Sequence, residues 1–124
     1  MEFKIDTKET FSTIRPLNGT ISAILTGAIG EKCGNLRQSG SKNFIVDLQH
    51  CTEIEEDGAE ALVAMHEEFY GNEESLVFTG VSGKVLASLK ENETDLLINI
   101  APSMIEAIDI VSMEILERDL FNEE

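Results

Sequence analysis

The sequence predicts a single α/β domain, with a mixed, mostly parallel β-sheet of about five strands covered by about four helices. Three observations lead there. The chain has 124 residues, 42% of them apolar and 27% charged, which suits one domain with a sizeable core. Short runs rich in β-branched and aromatic residues alternate with segments of helical periodicity, and that alternation implies parallel strands joined by right-handed crossovers. Finally, two strand-like segments open the chain with only a short polar connection, which adds an antiparallel pair. The domain is expected to fill residues 1–124, with a core over 2–116 and a C-terminal tail over 117–124. There are no linkers, repeats or low-complexity segments.

Each element has its own signal. Phe3 and Ile5 alternate with polar neighbours and predict the first strand. Phe11, Thr13 and Ile14 to Leu17 predict the second, with Pro16 at an edge or bulge and Asn18-Gly19 as its stop. Ile21, Leu25, Ala28, Ile29 and Leu36 set out an amphipathic helix over Ile21 to Gln38. Gly27, Gly30 and Gly34 within it match no nucleotide-binding loop and predict close packing on the sheet. Phe44, Ile45, Val46 and Leu48 form a buried central strand with Asp47 near its end. A helix from about Ala59 carries Ala61, Leu62, Met65 and Phe69 inward and ends at Gly71-Asn72, which tolerate left-handed backbone. Leu76 to Phe78 is the next buried strand. Ser82-Gly83 starts a short helix with Val85, Leu86 and Leu89, and Leu96 to Ile100 is the last strand. Pro102 fits a first helical position, ahead of Met104, Ile108, Val111 and Ile115. Phe121 to Glu124 is expected to fray.

The stretch between central strand and following helix stands apart. Thr52 and Glu53 lead through Ile54 into an acidic triplet, Glu55-Glu56-Asp57, and then Gly58. The triplet lies at a helix N-terminus, which carries unpaired N–H groups and about half a positive charge. Such an end seats anions, and here the chain supplies its own. One reading is a capped, charge-complemented helix start. The other is a recognition surface.

Charge narrows the function. The net charge is −15, and no Lys or Arg lies between Lys42 and Lys84, an interval with ten Asp and Glu. That field disfavours nucleic acid and anionic membrane surfaces and suits a basic partner protein. No run nears the ~20 apolar residues of a membrane span, and no signal-peptide pattern opens the chain. Cys33 and Cys51 form no CxxC, so two reduced thiols in a cytoplasmic protein are expected. His50, Cys51 and His66 do not have zinc-site spacing. The three consecutive acids diverge by about 100° each around a helix, and no base or nucleophile accompanies them. The expectation is a non-enzyme with no metal and no cofactor.

Leu17-Asn18-Gly19, Ile45-Val46-Asp47-Leu48, Ile54 to Leu62, Leu76 to Val81 and Pro102-Ser103-Met104-Ile105-Glu106-Ala107-Ile108 follow in the order and spacing of the STAS domain. From Glu2 to Leu116 the chain resembles that family, which includes bacterial anti-sigma-factor antagonists and parts of sulphate transporters and stress-signalling complexes. The resemblance implies a cytoplasmic regulator of transcription acting by protein–protein contact. The family's loop reads Asp-Ser-Ser-Gly-Leu, and its second serine (or a threonine there) is phosphorylated. Without phosphate such a protein binds a serine-kinase anti-sigma factor and frees the sigma factor; with phosphate it lets go. Here the motif falls on Glu55-Glu56-Asp57-Gly58-Ala59. The glycine is kept, and Asp57 stands at the phosphorylatable position, where no Ser/Thr kinase can act. Asp57 carries one charge where phosphoserine carries about −1.5 to −2. Either the domain mimics the phosphorylated state permanently, or it has left kinase control and binds a partner constitutively. The partner surface implied is Thr52, Glu53, Glu55, Glu56, Asp57 and Gly58. An alternative is an accessory STAS subunit of a transport ATPase, or a small-ligand sensor.

Overall fold

The computed structural model describes residues 1–122. Its main sheet has the strand order β1-β2-β4-β6-β7. The strands are β1 (Phe3–Thr7), β2 (Ser12–Pro16), β4 (Asn43–Asp47), β6 (Ser75–Thr79) and β7 (Ile100–Ala101). β1 pairs antiparallel with β2, placing Ile5 opposite Ile14, and every later pairing is parallel. The helices are α1 (Ala23–Gln38), α2 (Glu56–Gly71), α3 (Gly83–Glu91) and α4 (Met104–Asn122). A separate two-stranded parallel ladder joins β3 (Thr20–Ile21) to β5 (Glu53–Ile54). The α/β class, the five-stranded mixed sheet and the four helices match the sequence reading.

Alternation along the strands makes two cores of unequal size. Ile14, Phe44, Val46, Leu76 and Phe78 face Leu25, Ile29 and Cys33 of α1, Leu62, Met65 and Phe69 of α2, and Val85 and Leu89 of α3. Phe44 and Phe69 meet edge to face with ring centroids 5.5 Å apart, an arrangement that adds about 0.5–1.5 kcal/mol beyond burial. The other sheet face, Ile45, Val77 and Ala101, packs on Ala107 and Val111 of α4 alone. An ion pair between a buried carboxylate and a partly exposed guanidinium ties the larger core's rim: Arg37 Nη2 donates to Glu74 Oε1 at 2.8 Å, and the Arg37 guanidinium lies over the Phe44 and Phe69 rings.

Several boundaries differ from the sequence reading, each for a local reason. Ile21 is not helical; it pairs with Ile54 in the small ladder, and α1 starts after the Ser22 cap, whose Oγ accepts from Leu25 N. α2 starts at Glu56 rather than Ala59, so the acidic residues are its first turn. Pro16 sits in an interior strand. Leu17 N–H donates to Glu2 O at 2.9 Å, so the Pro16 nitrogen points the other way, past the β4 ladder that ends at Ile14. The glycines of α1 do not press on the sheet: a Cβ at Gly27 would meet nothing within 4 Å, and at Gly30 and Gly34 the nearest atoms lie 3.9 Å away. After α2 the left-handed residue is Glu73, with φ 60°, not Gly71 or Asn72. Thr94–Leu96 forms a 3-10 turn, which shortens the last strand to Ile100–Ala101. Ser103 rather than Pro102 opens α4, its Oγ accepting from Glu106 N at 3.2 Å. The expected tail is helical through Asn122; Glu123 and Glu124 lie outside the described residues.

Candidate functional site

The acidic triplet becomes a tip where two helices begin side by side. The β3–β5 ladder is the device. Thr52 N and Glu53 N both donate to Gly19 O, at 2.8 and 3.1 Å, and Glu55 N donates to Ile21 O at 2.9 Å. These bonds fix the entry to α2 against the entry to α1. Gly58 permits the closeness. A Cβ there would lie 2.2 Å from Ile21 O and 2.7 Å from Ile21 C, so only glycine lets the β3–α1 backbone approach.

Asp57 Oδ1 accepts from Ala23 N, the first helical residue of α1, at 3.4 Å. Its charge therefore sits beside both helix N-termini, where the two macrodipoles favour an anion. Glu55 occupies the N-cap position of α2 without a side-chain cap bond. The helix start is thus charge-complemented but not capped by its acids. Thr52, Glu53, Glu55, Glu56 and Asp57 are all exposed, and Gly58 is buried beneath them. Glu53 pairs with Lys84 of α3, both side chains remaining solvated.

Two features escaped the sequence reading. Ile24, in the first turn of α1 and next in sequence to the Ala23 that Asp57 accepts from, is 75% exposed and adds an apolar side chain to this end of α1; its exposure could have been found only by knowing where that helix turns. A groove of about 600 Å³ also runs from the tip between α2 and the segment containing α3 and the 3-10 turn. Glu55, Glu56 and Glu60 line its rim, with Val63 and Leu97 among its apolar contacts.

Asp47 holds the loop that leads to the tip. It is 5% exposed and accepts from Gln49 N at 3.1 Å, Gln49 Nε2 at 2.6 Å and Arg15 Nε at 3.2 Å. Gly80, at φ +68°, makes room for it, since a Cβ there would lie 2.3 Å from Asp47 Oδ1. Both cysteines are buried. Burial pushes the Cys33 thiol up to about 12 and raises that of Cys51, so neither supplies a thiolate near neutral pH. His66 lies half-buried on α2, away from the tip, stacked on Tyr70 with ring centroids 4.4 Å apart. Among the described residues, no three His, Cys, Asp or Glu side chains gather as a metal site, and no helix is long and apolar enough to cross a membrane.

The strand order, the four helices and the ladder-braced tip together are the STAS fold, the fold of anti-sigma-factor antagonists. A serine-to-glutamate variant of RsbS from Moorella thermoacetica superposes with a TM-score of 0.72 at 17% identity, covering 95% of this chain and 99% of the other. An anti-sigma factor antagonist from Mycobacterium paratuberculosis gives 0.72 at 15% identity, covering 90% and 93%. A sulfate transporter family protein from Wolinella succinogenes gives 0.67 at 16% identity, covering 83% and 85%. No protein-family model and no curated protein sequence matches the chain.

Proposed function

We propose that this chain is a cytoplasmic, non-enzymatic STAS regulator that works by docking a protein partner on its acidic tip. The observation that carries the reading is Asp57. At the position where the family carries a phosphorylatable hydroxyl, this chain holds an exposed carboxylate beside the N-termini of α1 and α2. No kinase is needed to charge it. Glu55 and Glu56 beside it, and the acidic groove they enter, fit a partner whose contact surface is basic. Thr52, Glu53, Glu55, Glu56 and Asp57 make the contact, Ile24 adds an apolar anchor, and Gly58 sets the geometry. The anti-sigma factor antagonists among the structural neighbours support a signalling partner, and the class we propose for it is a serine-kinase anti-sigma factor. The sulfate transporter family neighbour supports a second reading, an accessory domain of a transport protein.

The test is a pull-down with three baits, the wild type, Asp57→Ser and Asp57→Lys, read by mass spectrometry. A kinase-type anti-sigma factor retained only by Asp57→Ser identifies Asp57 as a permanent phosphomimic. One non-kinase protein retained by wild type and Asp57→Ser alike identifies a constitutive adaptor, and a transport component among the captured proteins favours the second reading. Asp57→Lys is expected to lose the partner while keeping its circular dichroism spectrum, with a melting temperature lowered slightly because a cation replaces the anion at two helix N-termini. Unchanged capture by Asp57→Lys would remove the tip from the interface.

A further inference from the structure

Helix α4 outruns the sheet that it covers. Its fully buried contacts are Ala107 and Val111, yet it continues to Asn122. Met113, Leu116 and Leu120 fall at i, i+3 and i+7, hence on one stripe, and are 62%, 59% and 58% exposed. Leu120 also lines a groove of about 740 Å³, together with Phe121, Tyr70, Glu73, Glu114 and Glu117. Phe121 is 82% exposed.

One wall of this groove is fixed and its rim is acidic. Tyr70 Oη donates to Glu114 Oε1 at 2.7 Å and accepts from Asn99 Nδ2 at 2.6 Å. Glu73 and Glu117 are exposed on the rim, and Asp119 is exposed nearby. Arg118, the only Lys or Arg on α4, also lines the groove, so one positive charge stands there against the three acids Glu73, Glu114 and Glu117. Its guanidinium is turned inward, donating to Asn43 Oδ1 at 3.0 Å, to Ser75 Oγ at 2.6 Å and to the Glu73 carbonyl.

We propose that this groove docks a basic amphipathic helix of a partner protein. Its apolar face would lie on Leu120 and Phe121 and extend over the groove's edge to Leu116, one turn before Leu120 on the flanking stripe, and its Lys or Arg would meet Glu73, Glu114 and Glu117. An exposed apolar stripe beside an open groove suits a helix laid along it, through anchors spaced three and four residues apart. Charge selects the partner. A second copy would bring Glu117 and Asp119 against the same acids, and an anionic membrane would be repelled likewise. The site is separate from the tip. Arg118 binds Asn43 and Ser75, the first residues of β4 and β6, whereas the tip follows the last residue of β4, so the two surfaces lie at opposite ends of the parallel strands.

The test measures fluorescence anisotropy of a labelled Leu/Lys amphipathic peptide of about five helical turns. It uses the wild type, Leu116→Ser/Leu120→Ser/Phe121→Ser, and the tip variant Glu56→Lys/Asp57→Lys. All substituted side chains are exposed, so each variant is expected to keep a cooperative melting transition, the tip variant at a slightly lower temperature because cations replace Glu56 and Asp57 at the start of α2. Binding should weaken about tenfold or more in the groove variant and stay within about twofold of wild type in the tip variant. A matched Leu/Glu peptide should not bind. Equal binding to wild type and groove variant, or loss confined to the tip variant, overturns the proposal. So does sedimentation showing a wild-type dimer that the groove variant dissolves, because the occupant is then a second copy.

Discussion

A Cβ placed on Gly58 would lie 2.2 Å from a backbone carbonyl oxygen that cannot move without breaking the β3–β5 ladder. Gly58→Ala is therefore expected to lower the unfolding free energy by about 2–3 kcal/mol, and to weaken partner binding at the tip as well. Gly27, on the exposed side of α1 with open space around it, has the opposite expectation. Gly27→Ala should raise stability by about 0.5–1 kcal/mol by relieving the entropy that glycine loses in a helix. Urea unfolding midpoints of the two variants test both signs in one experiment. Glu74 is a third case. Its side chain is 6% exposed, and its cation partner Arg37 is 40% exposed. Arg37→Leu strands the carboxylate and should cost about 3 kcal/mol, most of it recovered in Arg37→Leu/Glu74→Leu. No recovery in the double variant would show that the loss came from packing over Phe44 and Phe69. None of these roles can be read from residue type. Glycine marks permissive backbone, but only the fold tells whether a neighbour fills the space.

At the scale of elements, strongly patterned segments were legible and weakly patterned ones were not. β4, β6 and α2 carry continuous apolar runs or clear helical spacing, and their existence and type were readable. β3 and β5 have two residues each, in polar surroundings, and their pairing joins positions 33 residues apart. No local pattern encodes such a contact, yet this ladder creates the tip. The last strand, predicted over Leu96 to Ile100, is short for a different reason: its apolar run begins in the 3-10 turn, where Leu96 is 75% and Leu97 57% exposed, and only Ile100 of it pairs in the sheet. The α2–α4 contact carries a titration. His66 Nε2 is buried without a hydrogen-bond partner, and burial lowers the His66 pKa from its usual value, while Glu114 and Glu67 pull it back up. A histidine whose folded pKa is depressed binds its proton more readily when unfolded. Stability from this source is complete above about pH 6.5 and declines as pH falls toward the lowered value. Chemical denaturation of the wild type at pH 7.5 and at pH 5.5 (both about, chosen around that midpoint) should therefore show a larger loss than in His66→Phe. Equal losses would place the acid sensitivity elsewhere.

Over the whole molecule, 24 acidic side chains face nine Lys and Arg, and four ion pairs are formed among the described residues. Most acids are unopposed, so the folded chain repels itself. The sequence showed the sign and unevenness of this field, and the fold adds its shape: the tip and the α4 groove are acidic at opposite ends of the parallel strands. One field then gives two opposite salt effects. Raising NaCl from about 0.01 M to about 1 M shortens the Debye length from about 30 Å to about 3 Å. Self-repulsion is screened, and the melting temperature of the free protein should rise. Attraction to a basic partner is screened by the same ions, and association at either surface should slow by about tenfold or more. Thermal melts and stopped-flow association with the Leu/Lys peptide read the two effects. Chloride is the proper salt, because sulphate would stabilise any fold by exclusion from its surface. A salt-independent melting temperature together with slowed association would mean that the acids repel too weakly to strain the fold and still steer a partner. Slowing absent in both wild type and groove variant would leave apolar contact as the only source of binding, and the charge of this chain would have no part in choosing its partner.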